Sequence, residues 1–167
     1  MSRKSWVISR MPSIQGSHHG RAAFVEVAIV EAARYLEHKH SREPVLRGVH
    51  PFMALIDTGA TSTMVTRRLA RVLDLQPATK LPYRNKDGLI WTTAYLFHVV
   101  FFGGIVPLAG DSPEDGESRV SNTHVLKKII TGGEIDDQDS FDVLLGMDVI
   151  TTGNLTISMD GTFGFAF

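Results

Sequence analysis

Short apolar runs and two-residue alternations recur along this chain while long helical stripes are scarce, which predicts a domain built mainly of strands. Val25, Val27 and Ile29 alternate as in a strand, whereas Ile29, Ala33 and Leu36 fall at helical spacing; the alternation favours a strand over residues 22–30. Pro44 and Pro51 bracket a turn-rich stretch. After it, Phe52-Met-Ala-Leu-Ile56 has no polar position, the pattern of a strand buried on both faces. Asp57 follows directly, and a carboxylate at the end of such a strand needs a partner. Val65, Leu69 and Val72 predict a short helix over 65–73 that ends before Pro77, with Arg67, Arg68 and Arg71 on its solvated side. Lys80 to Phe102 reads as two strands around Asn85-Lys-Asp-Gly88, and Leu155–Met159 with Thr162–Phe167 as a final hairpin around Asp160-Gly161. Val120–Ile130 and Phe141–Leu145 supply further strands. The expected organisation is a loosely structured N-terminal segment, residues 1–20, followed by one mostly β domain over 21–167 with one or two short helices. The polar stretch 110–118 has too few apolar residues for a core and reads as a surface loop.

Composition narrows the chemistry. A chain of 167 residues has room for one ordinary core and no second large domain. It contains no cysteine, which excludes disulfides, thiol nucleophiles, cysteine zinc sites and iron–sulfur clusters. A formal net charge of -1 argues against a general nucleic-acid binder. Apolar stretches are too short to span a bilayer, and the start of the chain lacks the apolar core of a secretory signal, so no membrane partner and a cytoplasmic location are expected. Basic residues dominate 1–50 and acidic ones 111–148. Two solvated surfaces of opposite sign, or mutual attraction across a subunit contact, both fit that asymmetry.

The chemistry concentrates in Ala54-Leu-Ile-Asp-Thr-Gly-Ala-Thr-Ser62, an apolar strand that delivers Asp57 into a turn of small, hydroxyl-bearing residues. Gly59 lets the backbone approach closely, so its amide can bond the Asp57 carboxylate. Thr58 and Thr61 bring bracing hydroxyls, and Ala60 leaves space beside the acid. Such a fixed carboxylate suits general acid–base work and equally suits metal binding.

Leu55-Ile-Asp-Thr-Gly-Ala-Thr61, followed far downstream by Val143-Leu-Leu-Gly-Met-Asp-Val-Ile150, resembles the two signatures of the retropepsin-like aspartic proteases, the single-lobed relatives of pepsin. The resemblance covers about residues 50–167 and implies a single-lobe acid-protease β-barrel. It also implies that the second segment crosses the Asp57 loop and leads into a short helix, and that the 80–102 hairpin is the substrate-covering flap. Aspartic protease chemistry uses two carboxylates around one water, yet the chain has one Asp-Thr-Gly. The resemblance therefore implies a homodimer that pairs two copies of Asp57, hydrolyses peptide bonds without a cofactor, and uses Thr58 to lock the two loops together. A non-catalytic dimeric peptide- or protein-binding module on the same fold is the alternative. A monomeric enzyme pairing Asp57 with His98 or His124 is a third arrangement. The candidate flap holds Lys86, Asp87, Gly88 and Trp91; its tip lacks the Gly-rich pattern of the viral members, and Trp91 either covers a substrate or packs internally, with packing the favoured reading. Asp148 is read as structural rather than catalytic, a helix cap being one form of that role. Phe163, Phe165 and Phe167 alternate near the end of the chain and either join a dimer or cap the core.

Other features receive bland readings. The pairs His18-His19 and His38-Lys-His40 lack metal-ligand spacing and read as surface histidines, so no metal is expected. Gly103-Gly104 and Gly132-Gly133 read as turns, and Asp136-Asp-Gln-Asp139 as a solvated acidic turn.

Overall fold

The computed structural model describes residues 13–19, 22–38, 49–85, 88–102 and 123–167. The chain enters on β1 (Ser13–His19) and β2 (Ala22–Glu31), turns through α1 (Ala32–His38), and continues as β3 (Phe52–Ile56), β4 (Met64–Thr66) and α2 (Arg67–Val72). Next come β5 (Pro77–Asn85), β6 (Gly88–Phe102), β7 (Thr123–Val125), β8 (Ile130–Ile135), β9 (Val143–Leu145) and α3 (Met147–Ile150). β10 (Asn154–Ile157) and β11 (Thr162–Ala166) close the order. All strands among the described residues belong to one 11-stranded sheet. A β2–β6 pairing closes β2-β3-β9-β4-β8-β6 into a barrel, with β10-β11-β1 extending it beyond β2 and β5 extending it beyond β6. The mostly β, single-lobe expectation holds, with three short helices among the described residues rather than one or two.

β6 is long enough, at 15 residues, to serve two structures. Its first part, Gly88–Thr93, pairs with β5 alone among the described strands, and its second part joins β8, β2 and β7 in the barrel wall. The alternation through Phe97, Val99 and Phe101 points these side chains into the barrel, where Val27, Val65, Ile130 and Leu145 meet them, all buried. A second, smaller cluster of Ala28, Val30 and Val100 lies on the outer side of the wall, with Tyr35 of α1 packed against it.

Several boundaries differ from the pattern reading, each for a tertiary reason. Ambiguity across 21–34 resolves as both answers in series: the alternating part is β2, and the helical spacing continues into α1. Ser13–His19 is not loose but pairs with β11 and β2. The predicted helix at 65 starts at Arg67, because Val65 pairs with Val143 and Glu134 as strand; Thr66 caps the helix by accepting the Leu69 amide at 3.2 Å. β3 is not buried on both faces: only Ala54 is fully enclosed and Met53 is 39% exposed, since one face of a barrel wall looks outward. The expected strand over 120–130 lies partly outside the described residues; within them Thr123–Val125 and Ile130–Ile135 are separate strands. Gly132-Gly133 is accordingly not a turn but the middle of β8. A Cβ at Gly132 would collide with the Phe97 ring, and one at Gly133 would sit 2.8 Å from the Met64 methyl, so close packing explains these glycines. Gly103-Gly104 and the 110–118 loop lie outside the described residues.

Phe163 and Phe165 are buried, and the Phe101, Phe165 and Phe167 rings stack with centroids 4.6–5.5 Å apart, so the phenylalanines cap the core within the chain. No helix among the described residues is long and apolar enough to cross a membrane.

Candidate active site

β3 ends at Ile56 and hands the chain to a turn that holds Asp57 from both of its backbone ends. The Asp57 amide donates to the Leu145 carbonyl at 3.0 Å, and its own carbonyl accepts the Ala60 amide at 3.2 Å. Its carboxylate accepts the Gly59 amide at 2.8 Å. A Cβ at position 59 would lie 3.2 Å from that same oxygen, tight enough to press on it. These contacts restrict the carboxylate while leaving its second oxygen without a bond from any described residue.

The rest of the loop is strapped to the segment that crosses behind it. Met147 and Asp148 amides donate to the carbonyls of Ala60 and Thr61 at 2.8 and 3.2 Å. Fully buried Thr63 donates its amide and hydroxyl to one Asp148 oxygen at 2.9 and 2.7 Å, and its hydroxyl oxygen accepts the Gly146 amide at 3.1 Å. Gly146 permits the crossing, since a Cβ there would lie 2.5 Å from the Ser62 backbone. Asp148 has structural contacts and lies outside the cleft lining, but it is not the N-cap itself. Gly146 holds that position without a side-chain bond, and Asp148 sits in the first turn, where it ties the helix to the loop.

Above the loop opens a cleft of about 900 Å³. Asp57, Gly59, Ala60 and Thr61 form part of its wall; Met64, Phe141 and Leu144 add apolar surface, and the β5–β6 hairpin covers it with Leu81, Tyr83, Ile90 and Trp91. Of the two readings of Trp91, internal packing fails, since its side chain is 66% exposed and lines the cleft. It pairs across the hairpin with Pro82, in a part of the structure where the described residues offer no second layer to receive its ring. Thr58 is exposed on the loop and does not line the cleft. Gly88 begins β6 at φ 124°, a backbone conformation that favours glycine, while Lys86 and Asp87 lie outside the described residues. His98 and His124 are not in the cleft. His98 is buried with Nδ1 2.8 Å from the Leu126 carbonyl and its ring against Tyr35, and His124 packs on Phe167, so neither partners Asp57.

At the far end of the cleft, charge is organised in a way the local sequence does not announce. Arg67 donates to Glu134 and Asp136, both at 3.1 Å. Arg68 grips Asp142 through Nε and Nη2, and Arg71 lies 3.6 Å from Asp137. Hydrogen bonding to Glu134 raises the Arg67 pKa, and bonding to Asp142 raises that of Arg68. The arginines of α2 therefore face a specific acidic partner strip, rather than water alone, and part of the charge asymmetry is consumed within one chain. Asp136 and Asp137 belong to this strip and are not merely a solvated turn. Among the described residues, no group of three or more His, Cys, Asp or Glu side chains is placed to hold a metal ion.

Residues 44–96 match the family model for aspartyl proteases. The crystal structure of a retropepsin-like aspartic protease from Rickettsia conorii superposes over 100% of this chain and 98% of its own, with a TM-score of 0.52 at 14% sequence identity. The chain has the fold of a retropepsin-like lobe. No curated protein matches the sequence. What identifies the lobe locally is the crossing of the Asp57 loop by the 143–150 segment, the arrangement the two separated signatures imply. Met64 and Glu134 of this cleft had no flag in the sequence, whereas Phe141 opened an expected strand and Leu144 lay within the second signature.

Proposed function

We propose that this protein is an aspartic endopeptidase whose active site forms when two copies bring their Asp57 carboxylates together. The observation that supports it is the Asp57 carboxylate, bonded on one oxygen by the Gly59 amide and set in the wall of a hairpin-covered cleft. One ionised Asp57 takes a proton from water as the water oxygen adds to the peptide carbonyl carbon. The other, protonated, gives its proton to the carbonyl oxygen. Collapse of the resulting diol breaks the C–N bond: the first carboxyl returns its proton to the leaving nitrogen, and the second accepts one from a diol hydroxyl. An extended peptide fits the cleft, with its side chains against Met64, Phe141 and Leu144.

The two outer strands of the main sheet path differ in a way that favours β10 as the meeting edge. β5 carries Pro77, Lys80 and Pro82, residues that blunt pairing, whereas β10 reads Asn154-Leu-Thr-Ile157 without proline or charge. Ser158 donates to the Thr162 carbonyl at 2.9 Å. Antiparallel alternation from that pair turns the backbone groups of Leu155 and Ile157 away from β11. Leu155 shares a small apolar pocket with Ile56, the residue before Asp57, so an axis along this edge passes near the catalytic loop.

The test is cleavage of a diverse peptide mixture across pH 4–8 by the protein and its Asp57→Asn variant, read by mass spectrometry at several protein concentrations. Cleavage by the parent alone, with a rate per chain that falls on dilution, is the expected result. Retained cleavage in the variant overturns the mechanism. Silence in both, with peptide still bound, supports the binding-module alternative.

A further inference from the structure

We propose that Glu134 is the positioning residue that clamps the hinge of the cleft-covering hairpin. The β6–β8 ladder runs from Phe97↔Ile130 to Ala94↔Gly133 and stops there. From Thr93 towards Gly88 the hairpin has only its own β5 arm as strand partner among the described residues, a lever of about 20 Å. Glu134 is the next residue of β8 after the ladder's last pair, and it bonds the departing strand at two points. Its carbonyl accepts the Thr92 hydroxyl at 2.5 Å, and its carboxylate accepts the Tyr95 hydroxyl at 2.5 Å. The other carboxylate oxygen takes Arg67 Nε at 3.1 Å, which joins the clamp to α2 and, through β4, to the loop that carries Asp57.

Two further observations fall at the same level. The β5–β6 register shifts between Pro77 and Thr79, opposite Tyr95 and Ala94, and a bulge there bends the hairpin where it leaves the barrel. The Cβ position of Gly133 would lie 3.0 Å from the Thr92 methyl, so the two strands are pressed together at this pivot. A split ladder, a bulge and one residue with three partners, two on its carboxylate and one on its carbonyl, make on one level a hinge held by Glu134. Glu134 touches neither Asp57 nor its loop residues by any hydrogen bond or ion pair in the structure, so it acts on the cleft through the hairpin.

The kinetic half of this inference rests on the protease reading, and the mechanical half does not. The experiment compares the full-length protein with Glu134→Ala, Glu134→Gln and Tyr95→Phe by amide hydrogen exchange and by steady-state kinetics on a cleaved peptide. Glu134→Ala is expected to speed exchange of the 79–84 and 88–93 amides about tenfold, leaving 143–149 unchanged, because one charged hydrogen bond is worth about that factor in local opening. KM rises about tenfold with a smaller fall in kcat, since the hairpin holds substrate while Asp57 stays in place. Glu134→Gln, which can still accept from Arg67, recovers most of both effects, and Tyr95→Phe shows part of them. Unchanged hairpin exchange, or faster exchange spread evenly through the barrel, overturns the clamp. Should none of the proteins cleave peptide, the protease reading fails and the exchange pattern still decides the hinge; should Glu134→Ala not fold, Tyr95→Phe carries the same comparison.

Discussion

The loop that carries Asp57 and the hairpin that covers it stand a few side chains apart and are built by opposite means. The loop is crossed from behind by residues 145–149, and its groups bond to that segment through main chain as well as through Thr63 and Asp148. The hairpin has a ladder broken by one bulge and no second layer among the described residues, and it exposes Leu89, Ile90 and Trp91. On the proposed mechanism, a carboxylate that must meet a second carboxylate across a short distance belongs on the first kind of structure. A surface that must admit a peptide and then enclose it belongs on the second. Apolar exposure on the hairpin is in this view a cost in solubility that the bound state removes.

Substitutions that separate chemistry from architecture break this comparison most sharply. Asp57→Asn keeps the Gly59 hydrogen bond within reach of an oxygen acceptor, so folding is retained, while peptide cleavage falls by about 1000-fold or more. Parallel thermal melts and cleavage assays read the two effects separately. The reverse result, a large loss of stability with residual cleavage, would mean that Asp57 serves the fold.

Gly146→Ala attacks the strapping instead. The added methyl would meet the Ser62 backbone at 2.5 Å, where neither side can retreat without breaking the Thr63 and Asp148 bonds. A loss of about 3 kcal/mol is expected from overpacking at this crossing, measured by urea denaturation. Activity would fall with it, since the loop would move. A variant with unchanged stability would show that the crossing is loose and that Asp57 is held by β3 alone.

What the sequence made legible follows the same division. The Asp57 loop, its crossing partner and both hairpins were readable because each is local: an apolar run ending in Asp-Thr-Gly, a second ending in Gly, and Asp-Gly turns between alternating arms. What escaped was information held jointly by distant segments. Arg67, Arg68 and Arg71 read as a solvated face because their partners lie near 134–142, more than sixty residues on. Gly132-Gly133 read as a turn because the Phe97 ring and Met64 side chain that demand glycine come from other strands. Trp91 read as core because a large ring usually finds one, and only the topology reveals that its arm projects beyond the barrel wall. Glu134 had no signature at all; its importance appears when the β6–β8 ladder is seen to end beside it.

Trp91→Ala sharpens the contrast from the hairpin side. Its ring is mostly exposed, so unfolding free energy should change by no more than about 0.5 kcal/mol, in contrast to the Gly146 variant. KM for an apolar peptide should rise about fivefold through the loss of its area from the cleft cover, with kcat little altered. An unaltered KM would place Trp91 outside the substrate path despite its position.

The smallest effect lies at the join between the two regions. Burial, and then the hydrogen bond to Glu134, push the Tyr95 phenol up to about 12, above its ordinary value near 10. A pKa raised on folding means that the protonated phenol is favoured in the native state. Its contribution to stability is therefore complete below pH 10 and is lost as pH climbs through 12. Between pH 9 and 11.5 the melting temperature of the parent should fall by a degree or two more than that of Tyr95→Phe, whose ring has no proton to lose. Difference absorbance of the phenolate should show the missing chromophore titrating late. A phenol at position 95 that ionises near 10 would mean that Glu134 does not hold it in solution, and the hairpin would then be hinged on Thr92 and the ladder end alone.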